Sequence, residues 1–183
     1  MIGENFARTL DAARTGAEWA WTGIYRDLAP AVLGYLRARR AHEPEDLTGE
    51  VFLQVVRDLP RFRGGESEFR AWVFVIAHHR LIDEGRRRAR RPVDLEPDAP
   101  ADPSGADDVE TRVIESTVAQ AVRAIIDRLP PDQRDVLLLR VLGDLTVEHV
   151  ARAVDKSPGA VKALQRRGLA TIKRMLAEEA VPL

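Results

Sequence analysis

The sequence predicts an all-α protein made of two small helical domains joined by a flexible, acidic, proline-rich linker. Outside the linker, apolar residues recur at three- and four-residue spacing, which is the period of an amphipathic helix. No segment shows the alternating β-branched pattern or the Asn-Gly turn that would indicate a β-hairpin. A length of 183 residues with 45% hydrophobic residues is enough for one domain or two small ones.

The composition excludes several classes of function. The chain contains no cysteine, which excludes disulfides, thiolate metal sites and thiol nucleophiles. No run approaches the roughly 20 apolar residues that cross a bilayer, and the first 16 residues lack the apolar stretch of a secretory signal. We therefore expect a cytoplasmic protein that makes no membrane contact. The sequence has neither a Gly-rich phosphate loop nor a nucleophile elbow, so we expect neither an enzyme nor a bound cofactor.

The N-terminal domain is predicted over residues 16–91, after an N-terminal extension of residues 1–15. Its first helix runs from Trp19 to Arg40 along an apolar stripe of helical period that Pro30 could interrupt. The next helix begins at Pro44, because a proline loses no hydrogen bond at the first helical position.

A loop and a long basic helix complete this domain. The paired glycines of RFRGGES predict the loop, and the helix runs from Phe69 to about Arg90. Between Arg80 and Arg91 there are six arginines and only two acids. This cationic stretch either meets a polyphosphate or only complements the helix dipole in water.

Residues 92–107 are predicted to be the flexible linker. The segment around them holds four prolines and few apolar residues, so it should neither pack nor propagate a helix. Residues 92–110 contain seven acids and no base, whereas residues 156–177 contain six bases and no acid. The net charge of −1 therefore conceals two cationic regions separated by an acidic one.

The C-terminal domain is predicted over residues 108–179. Apolar residues at helical spacing lead to Leu129, where two prolines stop the first helix, and Asp132 is expected to cap the next. Two shorter helices follow, at about 147–154 and 158–176. Ser157 before a proline is a typical start for the last helix, with a capping hydroxyl and then a residue that needs no N–H partner.

The last two helices have the pattern of a helix-turn-helix. Ala151 provides the small residue where the helices cross, and Asp155 is a turn residue that tolerates a left-handed conformation. The second helix then turns a small and basic face outward, as a helix in a major groove does. An αα-hairpin with a solvated basic face is the alternative. The residues predicted to meet DNA are Ser157, Gly159, Lys162, Ala163, Arg166 and Arg167.

His78, His79 and Asp83 have side chains of the kinds that bind metal ions. His79 and Asp83 share one helix face, but two ligands are too few, and the other two histidines lie in other segments. We therefore expect no metal.

The chain resembles the extracytoplasmic-function (ECF) sigma factors, the smallest members of the sigma-70 family. The resemblance rests on YRDLAPAVLGYLRAR, EPEDLTGEVFLQVVRDLPRFRG and FRAWVFVIAHHRLIDEGRRRARR in the first domain. In the second domain it rests on LPPDQRDVLLLRVLGDLTVEHVARAVDKSPGAVKALQRRGLATIKRML. It implies two helical domains, sigma2 and sigma4, which bind core RNA polymerase and direct it to promoters.

The resemblance also implies a role for individual residues. The DLTGEVF helix would dock on the coiled coil of the polymerase clamp through Asp46, Leu47, Glu50 and Phe52, although Leu47 and Phe52 could instead belong to the domain core. The loop 63–68 and the following helix would read the minus-10 element as a single strand and melt it, and the outward face of the last helix would contact the minus-35 element. The minus-10 residues would be Arg63, His79, Arg80, Arg86, Arg87, Arg88, Arg90 and Arg91.

The chain departs from the family pattern at four positions. His79 replaces a usual Asn at a position implicated in reading the extruded base, and Gly49 replaces a usual Gln in the clamp-binding helix. His149 takes the place of a frequent Glu, which removes a capping-box partner of Thr146. Asp155 stands where Gly is common.

The resemblance further implies the partners. These would be the clamp coiled coil and flap of core RNA polymerase, promoter DNA and an anti-sigma factor, with the free chain a monomer. Catalysis would then belong to the polymerase. The alternative function is a stand-alone dimeric helix-turn-helix regulator, which would read a palindrome without engaging polymerase.

Overall fold

The protein is described here from a computed structural model over residues 3–90 and 120–179, and all regular structure in these ranges is helical. The predicted linker, residues 92–107, and Arg91 lie outside the described residues. The first half contains α1 (Phe6–Arg14), α2 (Glu18–Ala38), α3 (Pro44–Asp58) and α4 (Glu66–Arg90), with short 3-10 turns at Gly3–Asn5 and Leu59–Arg61. The second half contains α5 (described over 120–127), α6 (Pro131–Val141), α7 (Val147–Ala153) and α8 (Pro158–Glu179).

The predicted N-terminal extension, residues 1–15, contains α1, which packs against α2. Phe6, Leu10 and Ala13 fall on one helical face and are all buried. The Phe6 ring lies 5.7 Å from that of Phe69 in α4, so α1 closes one end of the domain core.

Helix α2 continues through Pro30, which we expected could interrupt it. Proline removes one backbone hydrogen bond, but Ile24, Leu28, Val32 and Leu36 are buried at four-residue spacing on either side of it. Packing of this stripe against α3 and α4 holds the helix together across the proline. Helix α3 begins at Pro44, as predicted.

Helix α4 begins at Glu66, three residues before the predicted start. The Gly65 N–H donates to Glu68 Oε2 at 3.0 Å, which satisfies a donor at the start of the helix. The preceding loop is held by aromatic rings: Phe62 stacks on Trp72 with ring centroids 5.1 Å apart, and it meets Phe69 edge-on at 5.3 Å.

In the second domain, α6 begins at Pro131 after Pro130, so Asp132 lies inside the first turn and does not cap the helix as we predicted. Asp132 is still in the first turn, near the positive end of the helix dipole, and its carboxylate pairs with Lys156 at 3.1 Å. Helices α6 and α8 approach closely at Gly168, where a Cβ atom would lie 2.7 Å from the Leu137 side chain. Any side chain at this position would therefore have to displace the buried Leu137 side chain.

The two domains pack against each other through α4 and α7 and through α2 and α6. Arg39 Nε at the end of α2 lies 2.5 Å from Asp135 Oδ1 in α6, and the side chains are only 14% and 11% exposed. The N–H is not directed at that oxygen, so the contact is an ion pair more than a directed hydrogen bond. A second contact joins Arg70 Nε to the Gly143 carbonyl at 2.6 Å.

Buried polar groups flank this interface. The Tyr35 hydroxyl and His78 Nδ1 share a hydrogen bond of 2.7 Å in the core next to Arg39. Burial, followed by the charges of His79 and Arg39, lowers the pKa of His78 to about 4. Burial raises the pKa of Asp135, although the charge of Arg39 opposes that rise.

Candidate functional site

The outer face of α3 combines two carboxylates with an apolar side chain. Asp46, Glu50 and Leu53 are exposed and follow one another at four- and three-residue spacing, so they lie on one face. Leu53 is 66% exposed, and Val56 is 47% exposed one turn later, so the end of α3 presents apolar surface beside the carboxylates. We did not single out Leu53 from the sequence, although its position seven residues after Asp46 is the signal that places it on this face.

The two apolar residues predicted with this face lie beneath it. Leu47 and Phe52 are buried, and the Phe52 ring packs at 4.8 Å against that of Tyr25 in α2. They therefore belong to the domain core, which was the alternative considered for both, and the structure brings only Asp46 and Glu50 to the surface. Gly49, the departure from the family pattern, lies between them with open space around its Cα.

The second half of α4 is a cationic arm. The exposed arginines of this arm are Arg86, Arg87, Arg88 and Arg90. Arg80 lies earlier in α4 and is half-buried. A groove of about 400 Å³ runs along one side of this arm. It is lined by Arg80, Asp83, Arg86, Arg87 and Arg90. Four guanidinium groups against one carboxylate give this groove the charge that a phosphate backbone requires.

The remaining two residues predicted for this surface are also exposed. His79 lies on α4 directly before Arg80. Arg63 lies in the loop before α4, where its Nη1 donates to the carbonyls of Pro60 and Phe62, each at 2.7 Å. Arg63 thus helps to fix the shape of the loop as well as its charge.

Helices α7 and α8 form the predicted helix-turn-helix. Val150 and Val161 are fully buried between them, and Ala151 is buried as expected. Asp155 takes the left-handed conformation with φ 52°, which permits the tight turn. Thr146 Oγ1 accepts the His149 N–H at 3.2 Å, so Thr146 caps α7 although His149 replaces the glutamate of a capping box.

The outward side of α8 carries the predicted DNA-facing residues. Ser157 Oγ accepts the Ala160 N–H at 3.2 Å, so Ser157 caps the helix as predicted. Lys162, Arg166 and Arg167 are exposed, Gly159 is exposed beside the cap, and Ala163 is half-buried among them. The helix therefore presents a basic face with small residues that permit close approach.

Comparison with known proteins identifies the family. Residues 24–91 match Sigma-70 region 2, and residues 119–172 match Sigma-70, region 4. The chain is 36% identical to the ECF RNA polymerase sigma factor ShbA of Streptomyces griseus over 163 residues, which are 82% of this chain and 83% of the relative. It is 30% identical over 182 residues to the ECF RNA polymerase sigma factor SigD of Mycobacterium tuberculosis, covering 94% and 84% of the two chains.

The chain belongs to the ECF RNA polymerase sigma factors. It is a transcription initiation factor. The region 2 match spans most of α2 and all of α3 and α4, and the region 4 match spans α5, α6, α7 and most of α8. The family and the all-α fold were both predicted from the sequence and are confirmed. Two solved structures share this fold.

The first solved structure is CnrH in complex with the cytosolic domain of CnrY, with a TM-score of 0.66 and 18% identity, covering 94% of this chain and 97% of that one. The second is the sigma factor RpoE of Bartonella quintana with the anti-sigma factor NepR, with a TM-score of 0.64 and 18% identity. It covers 85% of this chain and 96% of that one.

Across residues 3–90 and 120–179, no three metal-ligating side chains come together. Over the same residues, no helix has the length and apolar character that a membrane span requires.

Proposed function

We propose that the exposed face of α3, formed by Asp46, Glu50 and Leu53, is the surface that docks on the polymerase clamp. The carboxylates supply charge and Leu53 supplies an apolar anchor, which together suit packing against another helix. Leu47 and Phe52 are buried beneath this face, and their packing in the domain core fixes the position of α3. The proposal is carried by the exposure of Leu53 on the same face of α3 as the carboxylates of Asp46 and Glu50.

We propose that sigma2 binds the minus-10 element with α4 and the loop before it. The arginines of the α4 arm would hold phosphates, Arg63 would contribute from the loop, and His79 would meet a base. Extruding a base costs a few kcal/mol of stacking, which such contacts must offset. The observation in support is the groove lined by four arginines next to the exposed His79.

We propose that sigma4 reads the minus-35 element with α8. Lys162, Arg166 and Arg167 stand outward from a helix whose opposite side is buried. A helix of this kind fits the major groove, where arginine meets guanine edges and lysine meets phosphates. The cap residue Ser157 and the small residues Gly159 and Ala163 would allow the helix start to approach the DNA backbone.

We infer the remaining partners from the family. The chain would contact the flap of core polymerase through sigma4 and would be held as a monomer in the cytoplasm by an anti-sigma factor until released. Solved relatives occur in complexes with CnrY and with the anti-sigma factor NepR. Catalysis of RNA synthesis would belong to the polymerase, and this chain would supply promoter choice.

A promoter library tests the minus-10 assignment. Core polymerase with this chain, or with His79→Asn, transcribes templates that are randomised across the minus-10 element and carry a transcribed barcode for each promoter variant, and the barcodes in the RNA are sequenced. We expect His79→Asn to shift the base preference at one position, because imidazole and amide present different hydrogen-bonding edges. His42→Asn, a change of the same kind on an exposed residue outside α4, should leave the profile unchanged. An identical profile for His79→Asn would remove His79 from the base-reading site.

A further inference from the structure

Arg80 is shared between the two surfaces of sigma2. Its Nε donates to Gln54 Oε1 at 2.8 Å, and its Nη1 lies 3.4 Å from Glu50 Oε2. Both partners belong to α3, whereas Arg80 belongs to α4. The side chains of Arg80 and Glu50 are 31% and 46% exposed, so the pair lies at the surface where other molecules can reach it.

Two grooves meet at this pair. Arg80 lines the basic groove of about 400 Å³ beside the α4 arm. Glu50 lines a neighbouring groove of about 430 Å³, together with Asp46 at the start of α3. Arg87 and Arg90 line both grooves. The Glu50–Arg80 pair therefore spans the boundary between the acidic face of α3 and the basic face of α4.

We propose that Glu50 competes with DNA phosphate for Arg80, and that docking of polymerase on α3 releases Arg80 into the basic groove. A carboxylate and a phosphate are alternative partners of one guanidinium, because both offer paired acceptor oxygens. This inference rests on the proposed roles of α3 and α4. Gln54 is the positioning residue, since its bond to Nε holds the guanidinium and leaves the terminal nitrogens to the charged partner.

The competition couples the two binding events. While Glu50 neutralises Arg80, the free chain presents one cation fewer to DNA. When a polymerase group takes Glu50 as its own partner, that cation becomes available. Coupling of this kind is reciprocal, so DNA in the groove also favours polymerase on α3. An exposed ion pair changes an equilibrium by about two- to five-fold, which sets the size of the effect.

The first test uses the free full-length chain. A fluorescein-labelled single-stranded oligonucleotide of mixed sequence is titrated with the chain, and anisotropy is read at several salt concentrations. We expect Glu50→Gln to bind the oligonucleotide about two- to five-fold more tightly and with a steeper salt dependence. The matched control is Glu45→Gln, which removes the same charge from the same helix but breaks a pair with Arg37. We expect it to change the affinity less than Glu50→Gln does.

A double-mutant cycle assigns the gain to Arg80. In an Arg80→Ala background, Glu50→Gln should no longer tighten binding, because the residue that it releases is gone. A gain that persists in that background, or an equal gain in Glu45→Gln, would overturn the competition. Circular dichroism melting of each variant shows that it folds.

The second test separates this inference from the proposed function. Promoter binding by the assembled holoenzyme should be weakened by Arg80→Ala more than oligonucleotide binding by the free chain is. If Arg80→Ala leaves holoenzyme binding unchanged, the assignment of Arg80 to DNA is wrong. If it weakens holoenzyme binding but Glu50→Gln has no effect on the free chain, only the competition is wrong.

Discussion

Removing the carboxylate of Asp135 should weaken the packing of sigma4 on sigma2. Asp135→Ala leaves the Arg39 guanidinium buried at the domain interface without its counter-charge. Removing one partner of a fully buried ion pair costs about 3–5 kcal/mol. Both side chains retain a little exposure, and the N–H is not directed at the oxygen. We therefore expect the free energy of unfolding to fall by about 2–3 kcal/mol.

Asp135→Asn should cost less than Asp135→Ala. The amide keeps the shape of the side chain and an acceptor oxygen. Burial raises the pKa of the Asp135 carboxyl because it disfavours the charged form, so the loss of the charge is partly offset. Asp11→Asn is the matched control, because Asp11 forms an exposed pair with Arg14 and is 74% exposed. Its cost should stay below about 0.5 kcal/mol.

Urea unfolding followed by circular dichroism measures all three variants. We expect the order Asp135→Ala, Asp135→Asn, Asp11→Asn from the most to the least destabilised. Buried residues of the two domains form one continuous core. When Asp135→Ala weakens the contact between the domains, sigma4 should unfold first, and the urea unfolding transition should broaden or divide into two. If Asp135→Ala costs no more than Asp11→Asn, the ion pair does not hold the domains together.

Three further predictions concern stability and DNA binding. Asp155→Gly should raise the free energy of unfolding by about 0.5–1 kcal/mol, because glycine takes φ 52° without strain; a lower melting temperature would contradict this. Burial lowers the pKa of His78 from 6.5 to about 4. As the pH falls below 6.5, His78 is therefore protonated in the unfolded chain before it is protonated in the folded chain. The stability present above pH 6.5 is lost as the pH falls toward 4. His78→Gln should make that loss smaller by up to about 3 kcal/mol in urea unfolding series, and an unchanged pH profile would refute the assignment. Lys162→Ala should reduce the salt slope of duplex promoter binding by about 0.9, and an unchanged slope would remove Lys162 from the phosphate contacts.

Local features of the fold could be predicted from the sequence because short-range chemistry determines them. The start of α3 at Pro44, the cap at Ser157 and the left-handed turn at Asp155 depend on residues within one helical turn of each other. Our prediction of Asp132 as a cap was wrong, because α6 begins two residues earlier, with Pro130 at the cap position and Pro131 as the first helical residue. Pro30, which we expected could interrupt α2, does not do so, because buried residues on both sides of it hold the helix together.

Contacts between distant segments could not be predicted in the same way. Nothing local to Arg80 indicates that Glu50 and Gln54 will bind it, and nothing local to Arg39 indicates Asp135. For the same reason the sequence left open whether Leu47 and Phe52 were surface contacts or core residues. Helical period identifies an apolar face, but the neighbouring helices decide which of its residues are covered.

A titration with core RNA polymerase tests the central claim most directly. The chain is labelled with a fluorophore, purified bacterial core polymerase is added, and anisotropy is recorded for this chain, Asp46→Arg and the control Asp11→Arg. We predict tight, saturable 1:1 binding that Asp46→Arg abolishes and Asp11→Arg leaves intact. Binding that is absent, with a homodimer found on sizing, or binding that Asp46→Arg does not weaken would contradict the account of α3 as the polymerase-docking helix.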